Sequence, residues 1–306
     1  MNIVCEICGS EEIRPFYEKN GFSTVRCGAC GVVFVYPAPK AEDVRKIYED
    51  DQYFSSHYSE IDIWEKRSGD FRQKPLMTLS ALARISSIDR KTECGPGRVR
   101  FLEIGSSYGV LLEVAKWYGW QVFGIETNRR LAELSKARGL NVIGGDFEDA
   151  LPSLPHDFDV VALYHVIEHL TDPTRAIRQI YDILVPGGMV VIQTPNVESR
   201  AFQIQKTQWE YFKPPEHLFY FSLNSIRHVL ETAGFELMTF EGGGLMSMVN
   251  QIARIPFLKL FQTKALFSMA MLDNVRAIPA IAKKFVSKSA NFDESITVFA
   301  EKVRSK

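Results

Sequence analysis

The chain has 306 residues, 46% of them hydrophobic, enough for one sizeable core plus an appendage. Its 36 basic and 37 acidic side chains nearly cancel, and a formal charge of -1 excludes bulk attraction to nucleic acid or to an anionic membrane. No apolar run approaches the roughly 18 residues of a bilayer span, and the opening Met1-Asn2-Ile3-Val4-Cys5 lacks the basic and apolar regions of a secretion signal, so the chain is expected in the cytoplasm.

Cysteines come first along the chain, as Cys5-Glu6-Ile7-Cys8 and Cys27-Gly28-Ala29-Cys30, with 18 residues between the pairs. In a reducing compartment such pairs favour metal ligation over disulfides, and this spacing is that of a four-cysteine zinc ribbon. Each pair can aim two thiolates at one ion, and Gly9 and Gly31 permit the turns that do so. Cys5, Cys8, Cys27 and Cys30 are thus candidate Zn2+ ligands, a closed shell that holds a fold and performs no chemistry. A strand-like run, Val32 to Tyr36, stops at Pro37 and Pro39, so residues 1–40 are read as the ribbon.

Residues 41–98 carry helical apolar spacing, with Trp64, Phe71, Leu76, Leu79 and Leu82 as candidate core, and end in a Cys94-Gly95-Pro96-Gly97 linker. From Val99 short β-branched runs at 99–104, 121–125, 141–143, 159–163 and 189–193 alternate with helical segments at 109–118, 128–138 and 173–184. That alternation predicts an α/β domain over 99–306, a Rossmann-like parallel sheet with helices on both faces. Two later strands are expected at 235–241 and 295–302, flanking an apolar helical insertion at 245–288.

Phe101 to Gly109 reads as a strand, a glycine-bearing turn and the start of a helix, where backbone can approach a ligand closely. Ser107 and Val110 stand where a dinucleotide fingerprint needs glycine, which disfavours nicotinamide. Glu126 ends the second strand, 21 positions beyond Gly105, where a carboxylate can accept from both hydroxyls of a ribose. Asp146-Phe147 follows the third strand, and Pro186-Gly187-Gly188 precedes the fifth. In this order the segments resemble the class I S-adenosylmethionine (SAM)-dependent methyltransferases, whose first motif is an acid followed by G-x-G-x-G; Glu103, Gly105 and Gly109 match it, and Ser107 replaces the middle glycine. The resemblance covers roughly residues 99–302. It implies a seven-stranded sheet, SAM as cofactor, and Glu103, Gly105, Ser107, Gly109, Glu126, Asp146, Phe147 and Tyr164 as the residues that bind it. With its cysteine segment the chain looks like the branch that holds ubiquinone-type O-methyltransferases and sugar methyltransferases.

A hydroxyl or activated-carbon acceptor must lose a proton, a task suited to histidine near neutral pH. One candidate cluster, Tyr164-His165-Val166-Ile167-Glu168-His169, follows the fourth strand; on a helix, His165 and His169 would share a face. Quinone-type relatives carry glutamate at the place of His165 and hold a divalent ion there; local hydrogen bonding by Glu168 and His169 is the plainer reading. The other, Trp209 to Leu218, contains Glu216-His217, which resembles the segment of sugar C-methyltransferases whose histidine is the proposed base. Pro214 stands where those enzymes have an assisting tyrosine, and Tyr211 is the substitute available. The aromatics Trp209, Tyr211, Phe212, Phe219, Tyr220 and Phe221 form either a wall for a ring-shaped acceptor or plain core.

These residues point to methylation of a small-molecule acceptor, first a sugar or glycan precursor, with a quinone or other lipid-like phenol as the alternative and a non-catalytic SAM-binding module as a rival from another class. No basic aromatic stripe supports a nucleic-acid partner. The greasy stretch at 252–286, with Lys259, Lys264, Lys283 and Lys284, serves as a lid, a homodimer contact or a membrane-facing surface.

Overall fold

The computed structural model describes residues 3–40, 42, 44, 75–92, 98–243 and 294–303. Trp64, Phe71, Cys94 and the 245–288 insertion, with the dimer or membrane role assigned to it, lie outside the described residues.

A first sheet has the order β1-β2-β3-β9. Its members are β1 (Ile13–Lys19), β2 (Phe22–Cys27), β3 (Val33–Val35) and β9 (Phe219–Tyr220). All pairings are antiparallel, so the cysteine-bearing segment is hydrogen-bonded to a strand almost two hundred residues later in sequence.

A second, seven-stranded sheet runs β10-β11-β8-β7-β4-β5-β6, and its helices make it the Rossmann-like methyltransferase architecture. Its strands are β4 (Arg100–Ile104), β5 (Gln121–Glu126), β6 (Val142–Gly144), β7 (Phe158–Tyr164), β8 (Leu184–Pro195), β10 (Phe235–Gly243) and β11 (Ser295–Lys302). The parallel strands read as near-continuous apolar runs because helices cover both faces: Val160 to Leu163 and Val190 to Ile192 are fully buried. The late strands β10 and β11 pair antiparallel with one another, and β11 also pairs antiparallel with β8.

Two compact units emerge among the described residues. One contains the residues up to 44 with 147–243 and 294–303, the other 75–92 and 98–146. In the latter, α1 (Pro75–Asp89) buries Leu79 and Leu82, α2 (Val110–Trp117) buries Val110, Leu111, Leu112, Val114 and Ala115, and α3 (Arg129–Ala137) is capped by Asn128, whose side chain accepts from the Leu131 amide. In the former, α4 (Phe147–Ala150) follows β6, and α5 (Pro173–Ile183) starts with Asp172 as cap and Pro173 in its first turn. α6 (Arg200–Gln205) and α7 (Leu223–Thr232) begin at Ser199 and Ser222, each of which accepts from an amide of its first turn.

Gly109 is required at the entry to α2. Its φ is +71°, and a Cβ would strike Leu140 Cδ1 and come 3.1 Å from Ser135 Oγ. Gly109→Ala is therefore expected to lower stability by about 1–3 kcal/mol, from backbone strain and the contact together, seen as a lower midpoint in thermal or urea unfolding. An unchanged midpoint would show that the turn relaxes freely.

Candidate functional site

The loop after β4 builds a cradle within its own unit. Gly105 and Ser107 take positive φ values of 73° and 47°. The amides of Gly105 and Ser106 both donate to Ile125 O, at 2.8 and 3.0 Å, which turns the chain across the end of β5. Glu126, the last residue of β5, accepts from the Ser107 amide at 2.7 Å through Oε2 and from the Asn128 amide at 2.8 Å through Oε1. Each carboxylate oxygen keeps a lone pair for a ligand hydroxyl. Burial pushes the Glu126 carboxyl upward, and these two amides pull it back. Glu103 lies on β4 beside Gly124 of β5; its Oε2 is buried without a hydrogen-bond partner among the described residues. Burial holds the Glu103 carboxyl well above the usual range, with Arg84 opposing and Glu126 adding to the rise. The structure thus brings Glu103, Gly105, Ser107, Gly109 and Glu126 together. Asp146 follows β6, Phe147 opens α4 and is buried, and Tyr164 closes β7.

In the other unit, a second cluster surrounds a carboxylate. Glu168 is fully buried in a 3₁₀ turn, Ile167–His169. His165 Nδ1 lies 3.3 Å from its Oε1, and Thr194 at the end of β8 donates to its Oε2 at 3.0 Å. Burial pushes the Glu168 carboxyl up, but the contact with His165 and the charges that His165, His169 and His217 carry when protonated outweigh it and bring the pKa to about 2. The carboxylate is an anion held in place. His165 and His169 do not share a helical face: His165 takes φ +56°, a left-handed geometry that ends β7 abruptly, and only a short 3₁₀ turn follows.

The Trp209–Leu218 loop closes on this carboxylate. Leu218 N donates to Glu168 O at 2.8 Å, and His169 Nδ1 lies 2.9 Å from Glu216 O. The His217 ring meets that of His169 edge-on at 4.6 Å, its Nδ1 is buried without a hydrogen-bond partner among the described residues, and burial with the nearby His169 pushes its pKa down to about 3. Tyr211 stacks on His165, centroids 5.9 Å apart and planes 11° from parallel. Trp209, Phe212, Phe219, Tyr220 and Phe221 are buried core; Tyr211, half-buried, is the aromatic of this set that stays accessible. Ligand atoms of Glu168, His169 and His217 lie within 4.8 Å of one another, close enough to hold a cation.

Cys5, Cys8, Cys27 and Cys30 also converge within 4.8 Å, in the same unit. Sγ atoms are 3.8 Å apart for Cys5 and Cys30 and 3.6 Å for Cys8 and Cys27. A tetrahedral ion with Zn–S bonds of about 2.3 Å sets its ligands about 3.8 Å apart, whereas a disulfide needs about 2.05 Å. The Gly9 and Gly31 amides donate back to Cys5 O and Cys27 O, and both glycines have positive φ. Cys30 O in turn accepts from Ser222 Oγ and Asn224 Nδ2, both at 3.4 Å, on the loop and helix that follow β9. Glu168 and His169 belong to the cluster the sequence singled out, whereas Thr194 was not among its candidates. A polar Thr194 interrupting the apolar β8 near its C-terminal end, where open α/β sheets place their sites, was the available signal.

A family model described as a methyltransferase domain matches residues 64–239. Among curated relatives, a ubiquinone biosynthesis O-methyltransferase of Chromobacterium violaceum is 26% identical over 204 residues, 63% of this chain and 84% of that protein. One from Pseudomonas savastanoi pv. phaseolicola is 29% identical over 48% of this chain, which spans only 64% of its length. Among solved structures, a SAM-dependent methyltransferase from Archaeoglobus fulgidus superposes with a TM-score of 0.50 at 22% identity, covering 72% of this chain and 92% of the other, a likeness of fold. With the family match spanning more than half its length and the seven-stranded sheet behind it, the chain belongs to the class I SAM-dependent methyltransferases.

Proposed function

We propose that this chain methylates a hydroxyl oxygen of a small-molecule acceptor of the phenol or quinone-precursor kind, and that His165, backed by Glu168, takes the proton. The observation that carries it is the 3.3 Å approach of His165 Nδ1 to a fully buried, ionised Glu168. With Nδ1 facing the carboxylate at 3.3 Å, Nε2 is the nitrogen left to accept a proton, and the nearby anion stabilises the imidazolium as it forms. His165 is about one-third exposed, so an acceptor can reach it, and the parallel Tyr211 extends a flat face suited to a ring. The names of the two relatives support a phenolic acceptor over a sugar.

Glu103, Gly105, Ser107, Gly109 and Glu126 would hold SAM, which supplies a methyl already activated by its sulfonium. The chain's part is alignment and proton removal. An O–CH3 bond forms as the S–CH3 bond breaks, the sulfonium becomes a neutral thioether, and the hydroxyl proton passes to His165.

A second reading, a sugar or glycan precursor with His217 as base, draws on the resemblance of Glu216-His217 and on the ribbon. Against direct contact stands the burial of His217, 5% exposed. We also read Cys5, Cys8, Cys27 and Cys30 as a structural zinc site, their sulfur spacing supporting it. Among the described residues no helix is long and apolar enough to cross a membrane.

Glu126→Ala should weaken SAM binding by about 10- to 100-fold in calorimetry, since two charge-assisted ligand hydrogen bonds are lost; equal affinity would remove Glu126 from the donor site. With labelled SAM and a panel of catechols, phenols and sugars, His165→Ala should cut turnover about 10²–10⁴-fold with donor affinity kept. The same loss in His217→Ala, with His165→Ala near parent activity, would favour the sugar reading, and donor binding without turnover on any acceptor would favour a non-catalytic module. Elemental analysis should find one zinc per chain, and stripping it should lower the unfolding midpoint; a metal-free chain of unchanged stability would overturn the zinc site.

A further inference from the structure

The backbone of the Trp209–Leu218 loop is held from an unexpected direction. Among its carbonyls, Trp209 O accepts from the Phe212 amide and Leu218 O from the Val35 amide, and four more, Phe212 O, Lys213 O, Pro214 O and Glu216 O, also have described donors. Lys213 O accepts from the His217 amide at 2.9 Å, and Glu216 O faces His169 Nδ1 at 2.9 Å, both contacts local to the site. The other two donors come from the tip of the β1–β2 hairpin. Lys19 Nζ donates to Phe212 O at 2.7 Å, and Asn20 Nδ2 to Pro214 O at 3.1 Å, across 193 and 194 positions of sequence.

The hairpin tip is built to present these groups. β1 and β2 are joined by two residues, Asn20 and Gly21, with Lys19 opposite Phe22. Both turn residues take positive φ, 56° and 76°, the geometry of the tight turn that Asn-Gly favours and that matches strand twist. A turn so fixed costs little further entropy when it offers a side chain. Lys19 also sets its ammonium 5.9 Å from the Phe212 ring centroid, so charge, ring and carbonyl converge on one residue. Phe212 is fully buried and directly follows Tyr211, the residue stacked on His165.

From this we infer that Lys19 and Asn20 are positioning residues for the methyl-transfer site: the ribbon hairpin clamps the loop so that Tyr211 lies flat on His165 and His217 stays against His169. The inference rests on the proposed function for the meaning of that site, and on the hydrogen bonds alone for the clamp. Neither side chain touches the reacting groups; each acts through a loop carbonyl. Burial and, to a smaller extent, the nearby Lys213 lower the Lys19 pKa, and the Phe212 carbonyl and ring are partners that favour its charged form.

The test uses the full-length chain. Asn20→Gly keeps the left-handed turn and removes only the amide; Lys19→Met keeps the chain length over Phe212 and removes the donor; Lys19→Arg restores one. In the K19M/N20G double variant, amide exchange over 209–218 should accelerate about tenfold or more. The His165 and Tyr211 ring resonances should shift as the stack loosens, while SAM affinity stays within about twofold of the parent, because the donor cradle is untouched. The N20G single variant should show part of both changes, and K19R/N20G should recover toward it. With any acceptor that turns over, kcat should fall while the KM for SAM holds. Unmoved ring resonances and unchanged exchange would overturn the clamp, as would a global loss of stability that K19R fails to relieve. Full turnover by His165→Ala would instead sink the proposed base and leave the exchange and resonance results to decide the clamp.

Discussion

A fully buried carboxylate, Glu168, holds together the cluster proposed to receive the acceptor. Moving such an ion into the interior costs several kcal/mol unless partners replace its hydration, and losing one partner from a buried pair costs about 3–5 kcal/mol. Glu168 accepts a hydrogen bond from Thr194 on Oε2 and has His165 Nδ1 3.3 Å from Oε1, while its own carbonyl takes the Leu218 amide. Three segments are therefore joined at one residue, by its side chain and its backbone carbonyl: the turn after β7, the end of β8 and the loop before β9. His165 is oriented as a by-product of keeping that charge satisfied.

The cysteine segment belongs to the same frame. Val33 and Phe34 pair with Tyr220 and Phe219, and Val35 N donates to Leu218 O, the residue whose amide holds Glu168. From the four thiols to the buried carboxylate the path is backbone hydrogen bonds and one antiparallel pairing, with Phe202, Trp209, Phe212 and Tyr220 packed as its apolar filling. A closed tetrahedral ion held by the four thiols would fit such a role: it would take no part in the reaction and would stiffen the strand paired with β9.

The donor side rests on more local rules. Gly105, Ser107 and Gly109 all lie at positive φ, and the two amides that bond to Glu126 sit within a few residues of β-strand ends. A short stretch of chain can encode such a cradle because its hydrogen bonds run between neighbouring strand termini. The proposed acceptor side draws on residues 19, 20, 165, 168, 194, 211 and 217, and no short motif can carry that set.

The division between sequence and structure follows from this difference in range. Strand and helix alternation, the glycine turn after β4, Glu126 at the end of β5 and the paired cysteines were legible in the sequence, because period, turn chemistry and ligand spacing are properties of neighbouring residues. The late strands were legible as well, at 235–241 and 295–302 against the observed Phe235–Gly243 and Ser295–Lys302. The sequence could name His165, His217 and Tyr211 without ordering them. Only the tertiary structure decided that His165 sits outside any helix beside a buried anion, that His217 lies inside, that most of the loop aromatics are core, and that a hairpin tip grips the loop. Those outcomes depend on which groups lose water together, and desolvation is a property of the packed chain that no local spacing contains.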